Sequence, residues 1–281
     1  MQTVQDAAAL RAAIRGWRGK GQTVGFVPTM GNLHAGHQSL LKLAQARTDR
    51  VVASVFVNPT QFGPNEDFER YPRTLTADQT ALTDEGCDLL FAPDVTAIYP
   101  YGADRSVSLR VPDITAVLEG AHRPGHFDGV ATVVCKLFNL VQPDVAVFGQ
   151  KDYQQLKVIE RLVRDLSLPV RVMAAPIFRA DDGLALSSRN QYLSSAERAR
   201  APVIHDTLRQ MRELLRAGHP RQAIERVATA RLQRAGFVPD YAAIRRSEDL
   251  LSPADDERSG LIALIAARLG ATRLIDNLLL D

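Results

Sequence analysis

The sequence predicts an α/β protein with a parallel sheet that is covered by helices on both faces, followed by a smaller α+β domain. Residues 51–57 and 145–148 are continuous apolar runs, as expected of strands that are buried on both faces. Between such runs, apolar residues recur at helical spacing, for example at residues 36–47. This alternation of strands and helices is typical of a parallel sheet.

The individual elements follow from these two patterns, in which apolar runs indicate strands and apolar residues at helical spacing indicate helices. Helices are predicted at residues 4–17, 36–47, 77–85, 130–140 and 154–166, and strands at 23–28, 51–57, 89–92, 145–148 and 170–174. After about Pro176, helices are predicted at 196–217 and 222–235, and short strands at 241–244, 261–266 and 273–276. We therefore predict a Rossmann-like domain over residues 1–176 and a C-terminal lid domain over 177–281, which begins with a polar loop.

The composition is that of a globular protein and does not indicate a nucleic-acid-binding protein. Of the 281 residues, 46% are apolar and 23% are charged, the balance of a soluble globular protein. The net charge of +2 is too small to indicate a nucleic-acid partner. The Arg-rich stretch 198–234 is interleaved with apolar residues at helical spacing, which favours a solvated helix face.

Targeting and redox signals indicate the cytoplasm. Cys87 and Cys135 lack the spacing of a metal site, and we expect two reduced thiols. The amino-terminal segment carries charges inside a helical pattern, unlike a secretory signal. The apolar run at 261–267 stops at Arg268, so it is too short to span a membrane.

Three polar loops follow predicted strands, at residues 29–36, 58–63 and 149–152. Ligands of parallel α/β sheets bind beyond the carboxyl ends of the strands. We therefore expect these three loops to border one cleft.

The stretch from Pro28 to His37 is the most informative of the three loops. It turns from a strand into a helix, whose first backbone N–H groups suit a phosphate. His34 and His37, with Gly36 between them, can approach that phosphate and donate hydrogen bonds in the transition state. Two other interpretations stay open: metal ligation together with His122 and His126, or purely structural histidines. No carboxylate or Cys accompanies the pair, which disfavours the metal.

Two further segments fit phosphate chemistry. Ser187, Ser188 and Arg189, on a Gly-bearing loop, can form a mobile clamp for the β- and γ-phosphates, although such a segment is often an ordinary surface turn. Lys151 can place a charge on a phosphate oxygen, and Asp152 can accept from ribose hydroxyls or hold a Mg²⁺-bound water. Considered alone, such a Lys–Asp pair after a strand is an ordinary surface pair as often as it is a ligand-binding pair.

The His-x-Gly-His pattern resembles the first signature of the nucleotidyltransferase superfamily, and the loop with Arg189 resembles its second, in which many members carry Lys. The resemblance narrows to the pantothenate synthetase (pantoate–β-alanine ligase) family through segments that occur in the family's order. These segments are residues 28–37, 55–62, 70–74, 120–130, 149–155 and 187–190.

The resemblance implies roles for individual residues. ATP would be held by Met30, Gly31, Asn32, Leu33, His34, Ala35, Gly36 and His37, by Gly149, Gln150, Lys151 and Asp152, and by Phe178, Leu186, Ser187, Ser188 and Arg189. Of these, His34, His37, Lys151 and Arg189 would be catalytic, and no residue is expected to bind a resident metal. Gln61 and Gln155 would hold pantoate.

Neutral amides suit this acid substrate, because an Arg placed directly on the pantoate carboxylate would weaken it as a nucleophile. Gln61 could instead cap its own loop. Asn58 and Arg123 are candidate lining residues, and Arg123 could equally pair with an acidic side chain.

The resemblance also implies the reaction: pantoate attacks ATP with Mg²⁺ present, and β-alanine then displaces AMP from pantoyl adenylate. A homodimer without nucleic-acid or membrane partners is expected. The alternatives are a nucleotide-cofactor adenylyltransferase, a tRNA-charging enzyme, for which too little chain remains, and a nucleotide-binding regulator without turnover.

Overall fold

The computed structural model describes residues 1–64 and 66–281. The strands are β1 (Gln2–Val4), β2 (Val24–Thr29), β3 (Arg50–Val55), β4 (Leu89–Phe91), β5 (Val145–Gly149), β6 (Arg171–Ala175), β7 (Val238–Arg246), β8 (Leu261–Leu269) and β9 (Thr272–Leu279). The α-helices are α1 (Ala7–Arg18), α2 (Ala35–Gln45), α3 (Leu75–Asp84), α4 (Val95–Ile98), α5 (Glu119–His122), α6 (His126–Val141), α7 (Tyr153–Asp165), α8 (Ser195–Arg200), α9 (Val203–Arg216) and α10 (Arg221–Arg234).

Strands β1 to β6 form one parallel sheet in the order β1-β4-β3-β2-β5-β6. Alternate residues of each strand pack on opposite faces, as strand geometry requires. Val51 and Ala53 pack with α2 and α3, whereas Val52 packs with α1, α6 and α7. The predicted parallel sheet with helices on both faces is therefore confirmed.

Strands β7, β8 and β9 form a separate antiparallel sheet. One face, with Ile244 and Ile265, packs against α9 and α10. The other face, with Ile262 and Leu264, belongs to the same apolar core as α6 and α7. The α+β character of this region is confirmed, whereas the division of the chain at residue 176 stays a prediction.

Two predicted elements were wrong in detail. Residues 2–4 form an edge strand that pairs with β4, so the first helix begins at Ala7, where Asp6 caps it. The helix predicted at 196–217 is two helices that meet at Pro202, because proline has no N–H for a continuous helical ladder. The strands of the second sheet are also longer than predicted. Within residues 1–64 and 66–281, no helix is both long and apolar enough to cross a membrane.

Candidate active site

The site lies where the connections of the parallel sheet change direction. From β2 the chain adds β3 and β4 on one side, and it later returns to add β5 and β6 on the other. Loops that leave adjacent strands in opposite directions open a crevice at the carboxyl edge. The loop after β2 ends at His34, the first turn of α2 carries His37, and the turn after β5 carries Lys151. An adjoining cleft of about 730 Å³ is lined by Lys151, Ser187 and Arg189, and by residues of β9.

The two histidines are held by the first turn of α2. His34 caps the helix, and its Nδ1 accepts the N–H of Gly36 at 3.1 Å. The Nδ1 of His37 accepts the N–H of His34 at 3.3 Å, which completes a reciprocal cap. The two ring centroids are 4.2 Å apart. A Cβ at Gly36 would lie 2.8 Å from the Cε1 atom of His34, so this packing requires glycine.

The protonation state of both rings follows from these contacts. Burial, and then the charge of Lys151, lowers the pKa of His34 to about 4. Burial, followed by the neighbouring His34 and Lys151, lowers the pKa of His37 to about 3. Both rings are therefore neutral near pH 7. Because each Nδ1 accepts a backbone N–H, each proton is on Nε2, which remains a donor for an anionic ligand.

This assignment predicts a nuclear magnetic resonance result. In protein labelled with ¹⁵N-histidine, His34 and His37 should remain neutral Nε2–H tautomers when the pH is lowered from 7 to 5. A pKa near 6.5 for either ring, or a proton on Nδ1, would contradict the structure.

A buried carboxylate shapes the loop before the histidines. Asp78, on α3, accepts the N–H of Asn32 at 3.1 Å and that of Leu33 at 2.8 Å. Gly31 has a φ of 83°, and a Cβ there would lie 2.9 Å from Asp78 Oδ2. Asp78 therefore fixes the backbone that presents His34. The sequence analysis did not identify it, because an acidic residue in an amphipathic helix resembles a surface residue.

The turn after β5 is anchored from the second sheet. The buried Asn277 of β9 donates from Nδ2 to the carbonyl oxygens of Gln150 and Lys151, at 3.0 and 2.8 Å. Lys151 Nζ lies 3.8 Å from a carboxylate oxygen of Asp152. The charge of Lys151 thus faces the histidines from a fixed backbone. Gln155, one turn into α7, lines a cavity of about 40 Å³ with Lys151 and Asp152.

Gln61 lies in the short turn after β3, the strand that pairs with β2. Its Oε1 accepts from Asn58 Nδ2 at 3.1 Å, and its Nε2 lies 3.1 Å from Met30 Sδ. Asn58 is itself buried and also accepts from Tyr99 Oη at 2.7 Å. The cap of this turn is therefore Asn58 and not Gln61. Among residues 1–64 and 66–281, the amide nitrogen of Gln61 has only a weak thioether partner, which a ligand oxygen can replace.

The second signature loop, with Ser188 and Arg189, folds over the first signature loop, with His34. Ser188 Oγ donates to the carbonyl of Asn32 at 3.2 Å. The N–H of Leu186 donates to the carbonyl of Phe178 at 3.0 Å, and Phe178 Cβ lies 3.8 Å from the position that a Cβ of Gly36 would take. The structure therefore brings both signature loops together.

Arg189 has a partner that the sequence did not predict. Its Nε and Nη2 donate to the two carboxylate oxygens of Asp67, at 3.0 and 2.9 Å. A phosphate at Arg189 would share or displace this carboxylate. Arg123 also has an acidic partner, since it forms an ion pair with Glu66.

The other predicted ATP-binding residues lie next to the ends of β2 and β5 and in the turn before α8. Met30, Gly31, Asn32 and Leu33 form the loop after β2, and Ala35, Gly36 and His37 form the first turn of α2. Gly149 ends β5, and Ser187 caps the turn that carries Ser188 and Arg189. In the part of the chain that the structure describes, no group of three or more His, Cys, Asp or Glu residues could hold a metal ion, and the second histidine pair, His122 and His126, belongs to no such group.

The chain is similar to known proteins over its full length. A profile described as pantoate–β-alanine ligase matches residues 2–279. A curated relative from Stutzerimonas stutzeri (strain A1501), named pantothenate synthetase, is 57% identical over 282 residues that cover 100% of this chain and 98% of the relative. A relative of the same name from Stenotrophomonas maltophilia (strain K279a) is 58% identical and covers 99% of both chains.

Solved structures agree with these relatives. Pantothenate synthetase from Thermus thermophilus superposes with a TM-score of 0.93 at 50% identity, covering 100% of this chain and 99% of its own. Pantoate–β-alanine ligase from Francisella tularensis, complexed with β,γ-ATP and β-alanine, superposes with a TM-score of 0.84 at 34% identity, over 99% and 97% of the two chains. The chain therefore belongs to the pantoate–β-alanine ligase family.

Proposed function

We propose that this enzyme condenses pantoate with β-alanine at the expense of ATP, giving pantothenate, AMP and pyrophosphate through bound pantoyl adenylate. The observation that carries the proposal is the convergence of two neutral imidazoles and Lys151 at the sheet edge, beside the amide of Gln61. Membership of the ligase family supports the same reaction. So does the Francisella relative, which was solved with an ATP ligand and β-alanine.

In the first step, a carboxylate oxygen of pantoate attacks the α-phosphorus of ATP. The new P–O bond forms as the bond from the α-phosphorus to the bridging oxygen breaks, and pyrophosphate leaves. The Nε2–H groups of His34 and His37 donate to the phosphoryl oxygens, whose charge rises in the transition state. The ammonium of Lys151 adds a point charge, and neutral rings spare the site the cost of three buried cations.

The negative charge of the departing pyrophosphate would be bound by the second signature loop, which carries Arg189. Ser187, Ser188 and Arg189 are proposed to bind it, with Arg189 exchanging part of its contact with Asp67. Mg²⁺ neutralises β- and γ-phosphate charge when it is bound with ATP. The half-exposed carboxylate of Asp152 fits a Mg²⁺-bound water, since Mg²⁺ on a nucleotide takes most ligands from phosphates and water.

In the second step, the neutral amine of β-alanine attacks the acyl carbon of the adenylate. The C–N bond forms, the C–O bond breaks so that AMP leaves with the bonding electron pair, and the amine nitrogen loses a proton to water. Gln61 and Gln155 are proposed to hold pantoate through both steps, and Phe178 and Leu186 to border the nucleotide. Closure of the loop that carries Arg189 would keep water from the mixed anhydride.

The proposal also includes the domain organisation, the oligomeric state and the cellular compartment of the enzyme. Residues 1–176 would bind ATP and pantoate, and residues 177–281 would form the lid, although β8 already shares the core of the first sheet. A homodimer is proposed from family membership alone. A cytoplasmic location is proposed because two reduced thiols are typical of that compartment. Burial raises the pKa of the Cys87 thiol to about 11, so this thiol stays protonated.

The test is AMP formation from ATP with pantoate and β-alanine, each omitted in turn. We expect AMP only with both substrates, and isotope exchange between ATP and pyrophosphate with pantoate alone. Exchange that ignores pantoate would indicate an adenylyltransferase of another substrate. Binding of ATP without any AMP or exchange would indicate a nucleotide-binding regulator.

A further inference from the structure

We infer that His126 is a positioning residue for the acid-substrate pocket, where its Nδ1–H holds the backbone carbonyl of Gln61 while Arg123 fixes its tautomer. The inference rests on the proposed role of Gln61 in binding pantoate. It assigns a role to one member of the second histidine pair of the sequence, His126, which forms a hydrogen bond with this turn.

The hydrogen bonds of His126 permit one arrangement of protons. Its Nδ1 lies 2.7 Å from the carbonyl oxygen of Gln61, which can only accept. Its Nε2 lies 3.0 Å from Nη1 of Arg123, and a guanidinium can only donate. The proton must therefore be on Nδ1, the opposite tautomer to that of His34 and His37. Arg123 is held in turn by Glu66, at 2.7 Å through Nε.

The charge state agrees with this geometry. Burial, and then the charge of Arg123, lowers the pKa of His126 to about 4, against the weaker opposing effects of the Gln61 carbonyl, Glu66 and Glu119. A protonated ring would direct a second N–H at the guanidinium. His126 is therefore a neutral donor near pH 7, and it adds no charge beside a carboxylate substrate.

The contact matters because it determines where the Gln61 turn lies. Gln61 ends a short 3-10 turn, and a carbonyl at a helix end has no partner within the helix. Three residues after His126, on the same face of α6, Gly129 lies so close that a Cβ would be 2.4 Å from the carbonyl of Thr60. Asn58 bridges the Gln61 amide and the Gly129 carbonyl. Helix α6 thus holds the turn by packing, by the 2.7 Å hydrogen bond of His126 and by the longer bond from Asn58 to Gly129 at 3.2 Å.

Loss of the His126 hydrogen bond should displace the amide of Gln61 rather than the nucleotide loops. The alternative donor to the Gln61 carbonyl, Nη2 of Arg123, is at 3.5 Å, too long to replace it. The loop before His34 and the turn that carries Lys151 are held by other groups, namely Asp78 and Asn277. The expected defect is therefore specific for pantoate.

Two substitutions of His126 separate this role from general packing. Asparagine places its amide nitrogen near the position of Nδ1 and can still donate to Gln61, whereas glutamine reaches only the Nε2 position. In pantoate-dependent exchange we expect His126→Gln to raise the KM for pantoate about 10- to 100-fold, and His126→Asn by less than about 5-fold. The dissociation constant for ATP, measured calorimetrically without pantoate, should change less than about 2-fold in both.

Equal effects of the two substitutions, or a matching loss of ATP affinity, would overturn the inference. Should His126→Gln fail to fold, ¹⁵N-histidine spectra of the unaltered protein decide instead: an Nε2–H tautomer at His126 contradicts the proposed bond, and an Nδ1–H tautomer supports it. Failure of the proposed function is distinguishable, because the unaltered enzyme would then show no exchange that depends on pantoate.

Discussion

Replacement of His37 by alanine is expected to lower the rate of pantoate-dependent ATP–pyrophosphate exchange by about 10²–10⁴-fold, the range for one positioned transition-state donor. The physical reason is that the neutral Nε2–H of His37 interacts most strongly with the phosphoryl group when its charge is greatest. ATP affinity should fall far less, since the loop before the histidines is held separately by Asp78. The measurement is the exchange rate at saturating pantoate together with the ATP dissociation constant.

Asparagine and glutamine provide a matched pair at His37. Either side chain can accept the N–H of His34 through its amide oxygen and so preserve the cap, which His37 makes through Nδ1. Only glutamine is long enough to place a donor near the position of Nε2. We expect His37→Gln to exceed His37→Asn in exchange rate by at least about tenfold. Similar rates for all three variants would remove the donor role from His37.

The shared location of the three polar loops could be predicted from sequence because parallel strands end at one edge of a sheet. Buried apolar runs identified β3 and β5, and the polar residues that follow them then had to lie near one another. That placed Gln61 and Lys151 on the same side as His34. The two signature loops were recognised by their resemblance to the superfamily motifs, because the segment with Ser187, Ser188 and Arg189 also fits an ordinary surface turn when it is considered alone.

The supporting residues could not be predicted in this way. Asp78 and Asn277 each contact loop residues that are far away in sequence, and neither has a local pattern that reveals its partner. The ion pair of Arg189 with Asp67 likewise depends on how two loops meet in space. The edge strand Gln2–Val4 is only three residues long and adjoins a helical pattern, so periodicity could not separate the two.

A buried ion pair between strand β9 and helix α5 leads to the largest expected effect on stability. Arg273, on β9, donates from Nη1 and Nη2 to the carboxylate of Glu119 at 2.6 and 2.7 Å, and from Nε to Asp240 at 2.7 Å. Glu119 is only 7% exposed and also accepts from Tyr241 Oη at 2.7 Å. Arg273→Met would leave this carboxylate buried and without its cation. We expect the free energy of unfolding in urea to fall by about 3–5 kcal/mol at pH 7.

The pH dependence of this deficit distinguishes a lost charge from lost packing. Burial acts to raise the pKa of Glu119, but the hydrogen bonds and charge of Arg273 outweigh it and hold the pKa below its ordinary value. A lowered pKa stabilises the fold above the unfolded-state pKa and ceases to do so as the pH falls through the folded-state value. Without Arg273, burial would instead raise the pKa of Glu119, and protonation would relieve the unpaired charge. The deficit of Arg273→Met should therefore shrink as the pH is lowered from 7 toward 4.5.

Two control variants test the same cause at constant pH. Adding Glu119→Gln to Arg273→Met removes the unpaired charge, so it should recover part of the lost stability at pH 7. Arg105→Met removes an exposed pair with Asp104, whose side chains are 81% and 82% exposed, and should change stability by less than about 0.5 kcal/mol. A deficit that is independent of pH, and unchanged in the double variant, would mean that Arg273 stabilises the interface by packing and not by its charge.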